Sequence, residues 1–220
     1  MAFDSRTILF DLDGTLLDTE KWYNRAWHQA FADCGYSLSA EEVLQLRSLG
    51  KPFCYEWTRK KLGPEADLEV VRARRNEIMK PLLAGEIPVK PGVHETLAEL
   101  RQRGYRIAVV TATRPKRAGM LLEKTGLAGM FESVITVSMV ERGKPAPDVY
   151  LYACEYMGVE PQDAYAVEDS PNGVRSAAAA GCRTIMIPDL TQPDAETAGL
   201  LWKKVNSFAE LADIFLTDCL

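Results

Sequence analysis

The chain has 220 residues, 47% of them apolar and 26% charged, and its 26 Lys and Arg against 31 Asp and Glu leave a net charge of −5. That is an ordinary globular composition, in a chain long enough to bury about 70% of the surface its unfolded form exposes. An acidic chain offers no general surface to a polyanion, so nucleic acid is excluded as an expected partner; a small anionic ligand needs only a local positive pocket.

In chain order, the first predicted element is a strand: Thr7-Ile8-Leu9-Phe10 is a short apolar run that ends in Asp11. From Asp18 to about Ile87 no strand pattern appears, only helical ones. Trp22, Ala26, Ala30 and Cys34 recur every four residues with Trp27 and Phe31 alongside, and further helices are predicted over 40–48, 52–62 and 68–83. Roughly 70 residues of helix are too many for one strand-to-helix connection. The expected organisation is therefore an α/β core of residues 1–17 and 88–220 with an all-helical cap, 18–87, inserted in it. Pro88 and Pro91-Gly92 mark the return to the core.

From there strands and helices alternate. Apolar runs at 107–110, 134–137, 165–167 and 184–187 run into Thr111, Ser138, Glu168-Asp169 and Pro188. Between them lie amphipathic stretches through Val93, Leu97 and Leu100, through Ala118, Leu121 and Leu122, and over 149–157 and 174–180, followed by Gly104, Gly126, Gly158 and Gly181 as stops. A last helix near 208–216 packs on the sheet. Continuous apolar strands alternating with helices predict a doubly wound, Rossmann-like parallel sheet covered on both faces.

The five cysteines (Cys34, Cys54, Cys154, Cys182, Cys219) are dispersed and form no CxxC pair, and only His28 and His94 accompany them. A Cys/His zinc site is not expected, and the cysteines read as small buried residues in a reducing compartment. Charges at Asp4, Arg6, Asp11 and Asp13 interrupt any secretory signal, and no apolar run approaches the roughly 20 residues of a membrane helix. The expected location is cytoplasmic, with no membrane partner. Trp22, Trp27, Trp57 and Trp202 read as packing residues, and the two histidines receive no role.

Open α/β sheets bind ligands outside the carboxyl ends of their strands. Asp11 and Asp13 stand at the end of the first run, Thr111 at the second, Glu168 and Asp169 at the fourth, and Lys144 in the loop after the third. Carboxylates at i and i+2 of an extended chain point to one side. With Glu168 and Asp169 the convergent acids repel unless a cation neutralises them, and Mg²⁺ prefers a few carboxylates together with water and phosphate oxygens. Lys144 and Thr111 suit phosphate oxygens. One carboxylate can then attack phosphorus while another protonates the leaving alkoxide, once charge neutralisation removes the repulsion between two anions. Gly14 is expected to let backbone approach the ligand.

The string Asp11-Leu12-Asp13-Gly14-Thr15-Leu16 resembles the nucleophile motif of the haloacid dehalogenase-like hydrolase superfamily. Thr111, Lys144 in Gly-Lys-Pro-Ala-Pro-Asp, and Glu168-Asp169-Ser170 follow in that family's order, and the helical insert after the first motif is similar to the small cap of its β-phosphoglucomutase-like subgroup. The resemblance implies Asp11 as the nucleophile that forms an aspartyl-phosphate and Asp13 as general acid/base. It implies a Mg²⁺ site of Asp11, Asp13 through its backbone carbonyl and Asp169, with Glu168 either a ligand or a partner behind the ligands. Thr111 and Lys144 would hold the phosphoryl group, with backbone N–H groups near Leu12, Asp13 and Ala112 and with Thr113 beside them. A cis Lys144–Pro145 bond is also implied. The dehalogenase branch, which works without metal and lacks an acid at the place of Asp13, is disfavoured.

For the cap, Tyr23 stands where the β-phosphoglucomutase pattern has a His, and Leu49-Gly50-Lys51-Pro52-Phe53 replaces its Lys-Gly and following Arg. The second phosphate grip of a mutase thus looks depleted. Thr19, Tyr23, Arg47, Gly50, Lys51 and Arg75 are the candidate substrate residues, although Arg47, Lys51 and Arg75 read more simply as solvated helix-surface charges; Glu20, beside Thr19, is also placed to face substrate. The expected function is a Mg²⁺-dependent phosphatase of a small phosphorylated metabolite, a sugar phosphate in the first instance. A sugar-phosphate mutase and a catalytically silent binding protein on the same scaffold are the alternatives. The acidic turn after the first strand is no Gly-rich dinucleotide cradle. Nothing in the pattern demands an interface, so a monomer is expected.

Overall fold

The structure is a computed structural model that describes residues 6–216; Asp4 and Cys219 lie outside them. Six strands form one sheet in the order β3-β2-β1-β4-β5-β6, with every neighbouring pair parallel. They are β1 (Thr7–Phe10), β2 (Arg106–Thr111), β3 (Ser133–Thr136), β4 (Ala164–Glu168), β5 (Arg183–Met186) and β6 (Lys203–Lys204). This is the doubly wound order expected from the alternating pattern.

Strand periodicity divides the continuous apolar runs between two faces. Ile8, Phe10, Ile107 and Val109 enter one apolar cluster, whereas Leu9, Ala108 and Val110 enter the other. The first cluster is completed by α5 (Val93–Gln102), α6 (Pro115–Lys124) and α10 (Phe208–Leu216) through Leu97, Leu121 and Phe208, the last stacked on Phe10 with ring centroids 6.3 Å apart. The second is completed by α7 (Asp148–Met157) and α8 (Pro171–Ala180), and it is rich in alanine, which lets those helices approach the sheet. Gly158 and Gly181 cap α7 and α8 in the left-handed conformation, as their places after the helical patterns predict.

Residues 18–87 contain α1 (Glu20–Asp33), α2 (Ala40–Leu44), α3 (Phe53–Leu62) and α4 (Leu68–Ala84). These helices gather around an apolar cluster of their own that includes Phe31, Val43, Cys54 and Val71. They are also sewn into the sheet's core: Tyr23, Ala26, Met79, Leu83 and Ile87 belong to the same cluster as Ile8 and Phe10. The helix expected over 40–48 ends at Leu44. Past it the carbonyls of Gln45 and Arg47 accept from the Asn172 side chain at 3.1 and 2.9 Å, so the backbone leaves the helix to bond across the molecule.

Two elements carry no sequence signal. The short α9 (Ala195–Gly199) is capped by Asp194, and β6 is a two-residue edge strand of exposed lysines. Apolar periodicity could not find the latter, because a charged edge is how a sheet avoids pairing with a neighbour. Cys54, Cys154 and Cys182 are buried and free, and Cys34 is half-buried and free. No helix of the described residues is long and apolar enough to cross a membrane.

Because α6 is fixed to the sheet by Leu121, which is fully buried, Leu121→Ala should lower unfolding stability by about 2–5 kcal/mol through lost burial and a cavity. Urea denaturation of the two proteins measures this directly.

Candidate active site

The chain runs outward from β1 to β2 and β3 and then returns to lay β4 on the other side of β1, so a crevice opens between the ends of β1 and β4. Register sets the residues there. Phe10 pairs with Val167, and Asp11 N–H donates to the Val167 carbonyl at 3.0 Å, which brings Asp11 and Glu168 out side by side.

Lys144 fills the space between them. Fully buried, its ammonium donates to Asp11 Oδ1 at 2.5 Å, Glu168 Oε1 at 2.6 Å and the Val110 carbonyl at 3.1 Å, which uses all three of its protons. The Tyr150 hydroxyl donates to the same Glu168 oxygen at 2.6 Å. Burial works against the Lys144 charge, but Asp11 and Glu168 overcome it and raise its pKa. The Lys144–Pro145 peptide is cis, as the resemblance implies; Lys51–Pro52 is a second cis bond, which it did not.

Asp11, Glu168 and Asp169 each offer an oxygen within 4.8 Å of the others. Burial pushes the Asp11 carboxyl well above the usual range, opposed by Lys144 and reinforced by Glu168 and Asp169. It pushes Asp169 up to about 7 against the influence of Arg47. Glu168 Oε2 and both Asp169 carboxylate oxygens are buried with no hydrogen-bond partner. Oxygens of this kind are costly to leave bare, and a hard divalent cation is the partner that oxygen donors of this charge suit. The residues present therefore fit a divalent metal.

Two glycines make room for these carboxylates. At Gly14, with φ +90, a Cβ would stand 2.3 Å from Asp169 Oδ2; at Gly173 it would stand 1.9 Å from Glu168 Oε2. Gly14 thus clears space for a carboxylate of the site itself, where backbone approach to a ligand was expected. Glu168 and Asp169 are left free to face inward because Ser170 caps α8, its hydroxyl accepting from the Gly173 N–H at 3.1 Å.

Asp13 stands apart from the three-carboxylate group. Thr19 donates to one of its oxygens and Thr113 to the other, each at 2.7 Å, and Thr113 N–H donates to Thr111 Oγ1 at 3.0 Å. The Asp13 side chain is thereby oriented by two hydroxyls. Thr19, read from the sequence as facing substrate, is fully buried and spent on Asp13.

The helical insert closes the other side. Arg47 is not a solvated charge: it is 6% exposed, its Nη2 donates to the Asp169 carbonyl at 3.0 Å and to Thr191 Oγ1 at 2.8 Å, and its Nε lies 3.7 Å from Asp169 Oδ2. Gly50 N–H donates to the Lys144 carbonyl and Gly143 N–H to the Lys51 carbonyl, both at 2.7 Å, and a Cβ on Gly50 would meet Gly143 Cα at 2.6 Å. Gly50 is where the insert's backbone touches the lysine loop. Lys51 itself is exposed, its ammonium 5.4 Å from the centroid of the Tyr55 ring.

Between insert and sheet lies a cavity of about 830 Å³ that Asp11, Asp13, Glu20, Tyr23, Thr111 and Ala112 help to line. Glu20 is a further buried carboxylate there, pushed well above its ordinary pKa by burial and by Asp169. The Tyr23 hydroxyl is buried and unpartnered, and burial with nearby Asp13 raises its pKa. Arg75, also read as a surface charge, lies over the Trp27 ring at 4.4 Å, so Trp27 does more than pack.

Sequence reasoning missed Tyr150, Asn172, Asn76 and Arg117. Tyr150 sits in the apolar pattern of α7 and looked like core; the other three are single polar residues on helices, and nothing in their spacing separates a cavity from water.

A haloacid dehalogenase-like hydrolase family model matches residues 5–181. The chain belongs to the haloacid dehalogenase-like hydrolases. It is 34% identical over 217 residues to the protein CbbY of Cereibacter sphaeroides, covering 94% of each chain, and 36% identical over 180 residues to hexitol phosphatase A of Escherichia coli, covering 81% of each. Among solved structures, CbbY of Rhodobacter sphaeroides in complex with xylulose-(1,5)bisphosphate superposes with a TM-score of 0.77 at 33% identity, over 94% of this chain and 96% of that one. Solved β-phosphoglucomutase-like members of the family share the fold. As a haloacid dehalogenase-like hydrolase the chain is an enzyme, of the phosphoric monoester hydrolase class.

Gly173→Ala tests the packing of the acidic group, since its methyl has to displace the Glu168 carboxylate. It should lower stability by about 1–3 kcal/mol, read as a fall in unfolding free energy.

Proposed function

We propose that the chain is a Mg²⁺-dependent phosphatase that hydrolyses a small phosphorylated sugar through an aspartyl-phosphate on Asp11. The observation that carries this reading is the fully buried Lys144 held between Asp11 and Glu168, next to Asp169 oxygens that accept no hydrogen bond, with Asp11 lining the cavity. The names of the relatives, a hexitol phosphatase and a protein bound to a sugar bisphosphate, support the substrate class.

In this reading Lys144 fixes Asp11 through one oxygen and leaves the other to attack phosphorus. The new bond joins that oxygen to phosphorus, the bond from phosphorus to the sugar oxygen breaks, and Asp13 supplies the proton the sugar oxygen takes. Thr19 and Thr113 hold Asp13 on the leaving-group side. Thr111 and backbone N–H groups at Leu12, Asp13 and Ala112 hold the phosphoryl oxygens; Lys144, expected from the resemblance to share that task, has its three protons on Asp11, Glu168 and the Val110 carbonyl and acts through the Asp11 carboxylate. Asp13 then takes a proton from the water that splits the aspartyl-phosphate and releases inorganic phosphate. Asp11, Asp169 and Glu168, with the Asp13 carbonyl, would hold Mg²⁺, which when bound neutralises charge on the carboxylates and the phosphoryl oxygens.

Residues 18–87 act as the cap in this scheme and exclude bulk water from the site. Tyr23, Glu20 and Arg75 face substrate, and Gly50 and Lys51 seat the cap on the loop that carries Lys144.

Phosphate release from a panel of sugar phosphates should require Mg²⁺ and stop on chelation. Asp11→Asn should reduce it to background, and Asp13→Asn should lower kcat by about 10²–10⁴-fold. Equal release by wild type and Asp11→Asn would overturn the proposal, and isomerisation of a hexose phosphate faster than release would make the enzyme a mutase.

A further inference from the structure

Arg47, in the turn past α2, ties the helical insert to two loops of the core. Its Nη2 donates to the Asp169 carbonyl after β4 at 3.0 Å and to Thr191 Oγ1 after β5 at 2.8 Å. The grip is returned. The Asn172 side chain, three residues past Asp169, donates to the Arg47 carbonyl at 2.9 Å and to that of Gln45 at 3.1 Å. Ser48, next in the chain, has φ 57, the only positive φ outside glycine among the described residues. That conformation is uncommon for a serine, so the contacts on either side hold the turn and local preference does not.

Those bonds reach backbone and hydroxyl oxygens, and none of them meets the charge of the guanidinium. The charge faces Asp169 Oδ2, which lies 3.7 Å from Nε, too far for a hydrogen bond. Arg47 Nε and Nη1 make no hydrogen bond and the two Asp169 oxygens accept none, although the side chains are only 3% and 0% exposed. Arg47 is thus a second buried cation at the acidic group. Lys144, the first, has every proton bonded; Arg47 and Asp169 compensate each other only in part.

Asp169 is also one of the three carboxylates that fit a divalent metal. Arg47 and a dication therefore draw on the same anion, and like charges that share a buried anion repel strongly. Lys144 belongs to the core, whereas Arg47 belongs to the insert. Whatever the seated arginine costs the metal, the metal costs the seating, because coupling between two binding events is reciprocal.

We propose that Arg47 couples the seating of the helical insert to metal binding with a negative sign. Its guanidinium supplies part of the positive charge on Asp169 and is eased off that carboxylate when Mg²⁺ binds, so the insert sits more loosely on the metal-loaded protein than on the metal-free one. This rests on the reading that the acidic group takes Mg²⁺ and adds a regulation of that site.

Mg²⁺ binding is measured by calorimetry without substrate, at an ionic strength held constant with KCl, on the unmodified protein, Arg47→Gln and Arg47→Lys. Arg47→Gln should bind Mg²⁺ about 5- to 150-fold more tightly, the usual span of coupling between two sites. Arg47→Lys keeps the charge and should return toward the unmodified affinity; thermal melting reports that both variants fold. The Gly50 and Gly143 N–H groups bond across the seam between insert and lysine loop and report its seating. In the unmodified protein Mg²⁺ should speed amide exchange at both, and in Arg47→Gln it should not. Should Arg47→Gln fail to fold, exchange in the unmodified protein decides alone. Equal or weaker Mg²⁺ binding by folded Arg47→Gln, or exchange that Mg²⁺ slows or leaves unchanged in the unmodified protein, overturns the coupling. Mg²⁺ binding by none of the three overturns the metal reading and the coupling with it. Absence of Asp11-dependent phosphate release with Mg²⁺ binding intact overturns the phosphatase reading and leaves the coupling standing.

Discussion

One ammonium group organises the carboxylates gathered at the strand ends of this protein. Lys144 is fully buried, and its three protons reach a carboxylate after β1, a carboxylate at the end of β4 and a carbonyl of β2. Removing either kind of charge would strand the other in a medium where an unpaired ion costs several kcal/mol. The loop after β3 must therefore fold over the sheet to deliver the lysine, and the sheet's order must bring β1 and β4 together to receive it. Topology and electrostatics impose the same arrangement.

The remaining groups divide around that centre. Asp169, whose two oxygens accept no hydrogen bond and whose Oδ2 is ion-paired with Arg47, completes an acidic set suited to a dication, while Asp13 is fixed by Thr19 and Thr113. Neighbouring carboxylates two residues apart in sequence thus occupy different electrostatic settings. The helical insert takes part in both: Arg47 reaches Asp169, and Thr19 at the start of the insert reaches Asp13. The carboxylate cluster and its surroundings are consequently built from both segments of the chain and not from the sheet alone.

Much of this could be read from residue order. The strands announce themselves because a strand covered on both faces is apolar throughout, and the acids, the threonine and the lysine stand where those runs stop. What could not be read lies where polar residues sit on helices. Arg75 looks like a surface charge because a helix face turned to a wet cavity has the same polar pattern as one turned to solvent, and Arg47, in the turn past α2, because nothing in its spacing shows that it reaches Asp169. Thr19 looked like a substrate contact because its distance from Asp13 depends on the turn after β1 and not on spacing. The early end of α2 escaped because its cause is Asn172, far along the chain.

The contact between Gly50 and Gly143 joins main chain to main chain, with no side chain on either partner. A seam of that kind is indifferent to what the flanking positions become, provided the two glycines stay. Side chains around it on the helical segment can differ without disturbing the backbone bonds that seat the loop carrying Lys144.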